Sequence, residues 1–123
     1  MDYPILAVDD TPAVRRYVNA LLLEEGFHTI QARDGMSALA AVREQGGKIA
    51  LLLTDIDMGG MSGITLAQSV TAEYPAIPVL FMSGGAVSQR ATSRAVPGSV
   101  FIQKPFHTAT LLQAVKTLLR SRQ

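Results

Sequence analysis

Residues 49–55 read Ile49-Ala50-Leu51-Leu52-Leu53-Thr54-Asp55. The run is apolar without alternation, the pattern of a central strand covered on both faces rather than of one with a wet side. It ends in a carboxylate. Two other apolar runs end in charge as well: Ile5-Leu6-Ala7-Val8 leads into Asp9-Asp10, and Val100-Phe101-Ile102-Gln103 leads into Lys104. As parallel strands of one sheet they bring all four groups to its carboxyl edge, where open α/β sheets bind ligands.

Outward from this run, apolar segments alternate with amphipathic ones, the signature of repeated βα units and a mainly parallel sheet. Thr11-Pro12 reads as a helix start, because proline in the first turn loses no intrahelical bond. Val14, Val18, Leu21 and Leu22 mark its apolar face, and Gly26 ends it. A short second strand is expected over 28–32, then a helix capped by Asp34 that runs to about Gln45 and stops at Gly46-Gly47. The loop Gly59-Gly60-Met61-Ser62-Gly63 leads to a third helix over about 64–74, and Val79-Leu80-Phe81-Met82 forms the fourth strand before Ser83-Gly84-Gly85. Residues 86–95 carry only a thin apolar stripe and predict a marginal, mobile helix. After a strand over 100–102, Leu111, Leu112, Val115, Leu118 and Leu119 recur at helical spacing. Nothing marks a linker or repeat, and 1–123 is read as a single domain.

Composition narrows the chemistry. With 123 residues the chain can bury a core without covalent staples. It has no cysteine, which removes disulfides, thiolate metal sites and cysteine nucleophiles and suits a reducing cytoplasm. No signal peptide or membrane span is evident, so a cytoplasmic location without membrane insertion is expected. Nine of the ten acidic residues precede Met58, whereas Arg90, Arg94, Lys104, Lys116, Arg120 and Arg122 face only Glu73 after it. These cations lie at helical spacing without interleaved aromatics, which favours a solvated face over direct nucleic-acid binding.

Adjacent aspartates after a strand can be plain helix caps. Asp55 changes the balance, since two carboxylates about 4 Å apart repel by roughly 4 kcal/mol at an effective dielectric of 20, and three need a counter-charge. An all-oxygen donor set without cysteine or a well-placed histidine points to Mg2+, with Mn2+ as the alternative. Magnesium takes one or two carboxylates and bridges to phosphoryl oxygens, so one aspartate is free for other work. Lys104 and the Ser83 hydroxyl complete surroundings suited to a phosphoryl group.

Asp9-Asp10, Asp55, Met61-Ser62-Gly63, Ser83-Gly84 and Lys104-Pro105-Phe106, in this order, resemble the receiver domain of bacterial two-component response regulators. The resemblance implies an α/β fold: a five-stranded parallel sheet of order 2-1-3-4-5 with helices on both faces. It implies Asp55 as phosphoacceptor from a histidine kinase or histidine phosphotransfer protein. Asp10 and Asp55 would bind the metal directly, Asp9 through water, and Asp57 through its backbone carbonyl. Ser83 and Phe101 would be the switch residues, Lys104 would hold phosphoryl oxygens, and the peptide before Pro105 would be cis. A downstream protein would read the face of the fourth helix, fifth strand and fifth helix. The domain would be an enzyme only in a limited sense, assisting its own Mg2+-dependent phosphorylation and hydrolysis. The segments around Ser83 and Lys104 look most like receivers carried on hybrid histidine kinases.

Some positions depart from the family pattern. Gly59 stands where proline is frequent, which predicts a looser loop. Phe101 replaces a frequent tyrosine, Thr11 replaces a frequent acid, and Asp57 is expected to face water, the alternative being that it modulates dephosphorylation by attracting metal or repelling phosphate. His28 and His107 read as surface residues, and Met58, Met61 and Met82 as packing.

Three competing readings are weaker. Asp55-Ile56-Asp57 also resembles the strand end of haloacid-dehalogenase-type phosphatases, with Asp55 as nucleophile and Asp57 as general acid, but that family needs a later carboxylate pair and only Glu73 follows. A nucleotide-binding domain lacks its glycine loop after the first strand. A receiver-like interaction module that is not phosphorylated is marked by loss of an acidic or lysine position, and here Asp9, Asp10, Asp55, Ser83 and Lys104 all stand.

Overall fold

A computed structural model describes residues 3–85 and 89–120. Five strands form one parallel sheet of order β2-β1-β3-β4-β5: β1 Ile5–Val8, β2 Thr29–Ala32, β3 Leu51–Asp55, β4 Val79–Ser83 and β5 Val100–Gln103. The helices between and after them are α1 Pro12–Glu24, α2 Gly35–Glu44, α3 Gly63–Glu73, α4 Gln89–Ala95 and α5 Thr108–Arg120. Of the helix expected over 86–95, residues 86–88 lie outside the described residues. The Gly59 loop ends one residue earlier than expected, because the Ser62 hydroxyl caps α3 by accepting the Thr65 N–H. Asp34 caps α2 as expected, accepting the Ser37 N–H at 2.8 Å.

The unbroken apolar run of β3 has a simple cause: successive side chains point to opposite faces, and helices cover both. Leu51 and Leu53 join Ile5, Ala7, Leu80 and Met82 under Val18 and Leu22 of α1 and Leu111, Val115 and Leu118 of α5. Leu52 joins Leu6, Val8 and Phe81 under Val42 of α2 and Leu66 and Val70 of α3. The edge strands β2 and β5 are only partly buried, in line with their weaker apolar signal.

Register places the strand ends. Val8 pairs with Thr54, so the next residues, Asp9 and Asp55, lie side by side where the strands stop. Ser83 pairs with Gln103, and the Lys104 N–H donates to the Ser83 carbonyl at 2.8 Å, which holds Lys104 at the same edge. The Lys104–Pro105 peptide is cis.

The loop after β3 closes when Gly63 donates its N–H to the Ile56 carbonyl at 2.9 Å. A Cβ at Gly63 would lie 2.0 Å from the Asp55 carbonyl oxygen, which is backbone and cannot swing away. Gly63→Ala is therefore expected to lower stability by about 1–3 kcal/mol, the usual penalty for overpacking. A urea midpoint equal to that of the native chain would contradict this close approach.

Candidate phosphoryl and cation site

Asp9, Asp10 and Asp55 each offer a carboxylate oxygen, and these oxygens lie within 4.8 Å of one another. Asp9 and Asp55 are buried and Asp10 is exposed. Lys104 Nζ donates to Asp9 Oδ2 at 2.8 Å and stands 3.4 Å from Asp55 Oδ1. The second approach is close enough for ion pairing but is not an aligned hydrogen bond, and Asp55 Oδ1 is buried without a hydrogen-bond partner among the described residues. Three carboxylates and one ammonium leave two negative charges in excess, the complement of a divalent cation. An orphaned buried oxygen within an all-oxygen donor set fits a hard cation and a phosphoryl group.

The electrostatics follow from this crowding. Burial pushes the Asp55 carboxyl above the usual carboxylate range; the Lys104 charge opposes the rise, while Asp9 and Asp10 add to it. Burial by itself pulls the Lys104 ammonium down, but its hydrogen bond to Asp9 and the charges of Asp9 and Asp55 outweigh that and leave it above the usual lysine value.

The surrounding backbone orients these groups. Thr11 N–H donates to Asp9 Oδ1 at 2.9 Å, and the Arg15 guanidinium donates to the Asp9 carbonyl at 2.7 Å. Arg15 has no place in a pattern of strand ends; it reaches the site because α1 begins at Pro12, two residues after Asp10. Gly59 N–H donates to Asp10 Oδ2 at 3.4 Å, a bond that proline could not make. The departure at Gly59 thus ties the loop to the acidic cluster. A Cβ at Gly59 would meet nothing within 4 Å, so the N–H and not the missing side chain distinguishes this residue.

Asp57 gives a mixed result. The residue is exposed, as expected, yet its Oδ2 accepts the hydroxyl proton of buried Ser83 at 3.0 Å. Ser83 Oγ in turn accepts the Gly85 N–H at 3.0 Å. Phe101 is half-buried against the core on the α3 side. Met58 is buried and Met61 packs against the core on the α2 and α3 side, while Met82 is buried on the α1 and α5 side, so these three methionines are packing residues.

A parallel sheet of this order with aspartates just after β1 and at the end of β3, a hydroxyl at the end of β4 and a lysine just after β5 has the arrangement of a phosphoacceptor switch of two-component signalling. The sequence matches the family described as response regulator receiver domain over residues 5–116, and the chain belongs to that family. It is 33% identical over 116 residues to the response regulator receiver protein CpdR of Brucella abortus, covering 94% of this chain and 95% of that protein. It is 32% identical to the probable transcriptional regulatory protein TcrX of Mycobacterium tuberculosis, over 94% of this chain but only 49% of the relative, so the chain spans about half of that longer protein. Among solved structures, the response regulator protein TrrA of Thermotoga maritima, in complex with Mg(2+)-BeF, superposes with a TM-score of 0.82 at 27% identity over 94% of this chain and 98% of that one. The receiver fold is that of this chain, and phosphoacceptor signalling is the role general to its family.

Proposed function

We propose that Asp55 accepts a phosphoryl group from a phosphohistidine of a histidine kinase or histidine phosphotransfer protein, with Mg2+ as the resident cation. The observation that carries the reading is the buried Asp55 Oδ1, without a hydrogen-bond partner among the described residues, between two further carboxylates and the Lys104 ammonium. In the transfer, the P–N bond of the phosphohistidine breaks, an O–P bond to the Asp55 carboxylate forms, and the imidazole leaves as the neutral base after protonation from solvent. Asp10 and Asp55, with the Asp57 carbonyl, would hold the cation, and Asp9 would hold a water on it. The cation supplies charge neutralisation for the phosphoryl oxygens. Lys104 contributes a second positive group at a fixed place, and Ser83 a hydroxyl donor. The Mg(2+)-BeF complex of TrrA supports the choice of ion.

A switch in the surroundings of Ser83 and Phe101 would alter the face made by α4, β5 and α5, which we assign to the downstream partner. Among the residues after Glu73 there is no aspartate or glutamate, and Arg90 and Arg94 are exposed on α4. No described helix is long and apolar enough to cross a membrane, and a cytoplasmic location accords with the phosphate donor.

The test is intact-protein mass after incubation with acetyl phosphate, with and without Mg2+. The expected result is a single phosphoryl adduct that requires Mg2+, survives acid, is lost in base, and maps to the peptic peptide holding Asp55. No adduct from acetyl phosphate or from a phosphohistidine donor would overturn the proposal in favour of a binding module.

A further inference from the structure

A serine hydroxyl has one proton, and in this structure that of Ser83 goes to a carboxylate other than the phosphoacceptor. Ser83 Oγ donates to Asp57 Oδ2 at 3.0 Å while accepting from the Gly85 N–H at 3.0 Å, and the side chain is fully buried. Its orientation is therefore held from both sides. We infer that Asp57 is a positioning residue that occupies the Ser83 hydroxyl in the resting state, so that a phosphoryl oxygen on Asp55 must compete with a carboxylate already in place. This rests on the phosphoacceptor reading above and names a control on that same site.

The local geometry is arranged for such competition. Asp57 lies two residues beyond Asp55 on the loop after β3, so its carboxylate reaches Ser83 from the same end of the sheet as a group on Asp55 would. A hydrogen bond to an ionised acceptor is about twice as strong as one between neutral groups, which makes Asp57 a serious rival for one donor. Because Asp57 is exposed, water can take up its carboxylate when the hydroxyl leaves, and the exchange is reversible. Gly85 leaves space for the contact: a Cβ there would stand 2.8 Å from Asp57 Oδ2, the mobile end of a side chain, and would push the carboxylate off Ser83.

Two effects of Asp57 must be separated. Its negative charge repels a phosphoryl group whether or not it touches Ser83, whereas the hold acts only through the hydroxyl. A double-mutant cycle distinguishes them. The probe is beryllium fluoride with Mg2+, a phosphoryl mimic that does not hydrolyse, with affinity measured by calorimetry on the whole chain. Asp57→Ala is expected to tighten binding about tenfold, in keeping with the loss of one charge-assisted hydrogen bond. Gly85→Ala, which keeps the charge but displaces it, is expected to tighten binding in the same direction. In a Ser83→Ala background, where no hydroxyl remains to be held, Asp57→Ala is expected to change affinity by less than about twofold. Equal tightening in both backgrounds, or weakening by Gly85→Ala, overturns the hold and leaves charge repulsion as the role of Asp57. Failure of the native chain to bind the mimic at all sinks the phosphoacceptor reading, and the hold with it.

Discussion

Asp55→Asn is expected to yield a chain that gains no phosphoryl mass from any donor and that withstands urea better than the native chain when no divalent cation is present. The first effect is complete because the amide is not a nucleophile toward phosphorus under these conditions. The second follows from the crowding of the site. The native carboxylate is buried beside Asp9 and Asp10 with one oxygen lacking a hydrogen-bond partner among the described residues. An amide of the same shape has no charge to desolvate and can donate an N–H to a neighbouring carboxylate. The gain is expected to be about 1–3 kcal/mol, the usual penalty of an unsatisfied buried polar group.

The pH dependence has a definite sign. Burial raises the Asp55 carboxyl above its ordinary value of 3.8, so over the interval between the two values the folded chain binds more protons than the unfolded one. The stability of the native chain thus falls as pH rises through that interval. The advantage of Asp55→Asn is expected to be full at neutral pH and to close as the pH drops toward 3.8. Paired urea titrations at several pH values measure it. A variant less stable than the native chain at neutral pH would show that the attraction of Lys104 exceeds the desolvation of Asp55.

Lys104→Met is expected to act in the opposite direction and more strongly on folding. The ammonium is the counter-charge of buried Asp9, at 2.8 Å, and lies 3.4 Å from Asp55. Removing one partner of a buried pair while leaving the other charge in place costs about 3–5 kcal/mol. The loss is expected to shrink when Mg2+ is added, since binding to the folded state alone stabilises it, and to shrink on acidification as Asp55 takes up its proton. Because Lys104 is raised above the usual lysine value, its own contribution persists throughout the neutral range and disappears only as the pH climbs through that raised value. Urea unfolding with and without Mg2+ is the measurement. Equal deficits in the two conditions would mean that Lys104 and the cation do not serve the same carboxylates.

The sequence by itself determined the sheet and which side chains gather at its carboxyl edge. An apolar run such as Ile49 to Thr54 admits few structures other than a strand covered on both faces, and each polar or charged group at the end of such a run must reach the carboxyl edge once the strands are parallel. Asp9, Asp10, Asp55, Ser83 and Lys104 were legible for that reason. What only the tertiary structure decided is which of these groups touch, and through what. The bonds from Lys104 to Asp9, from Gly59 to Asp10 and from Ser83 to Asp57 span 95, 49 and 26 residues. Strand register and loop closure create these contacts, and neither is encoded in the neighbours of any one residue. The direction of the Asp57 side chain is the plainest case: its local sequence predicts an exposed loop carboxylate, which it is, while the hydroxyl that claims one of its oxygens comes from a strand that only folding brings alongside.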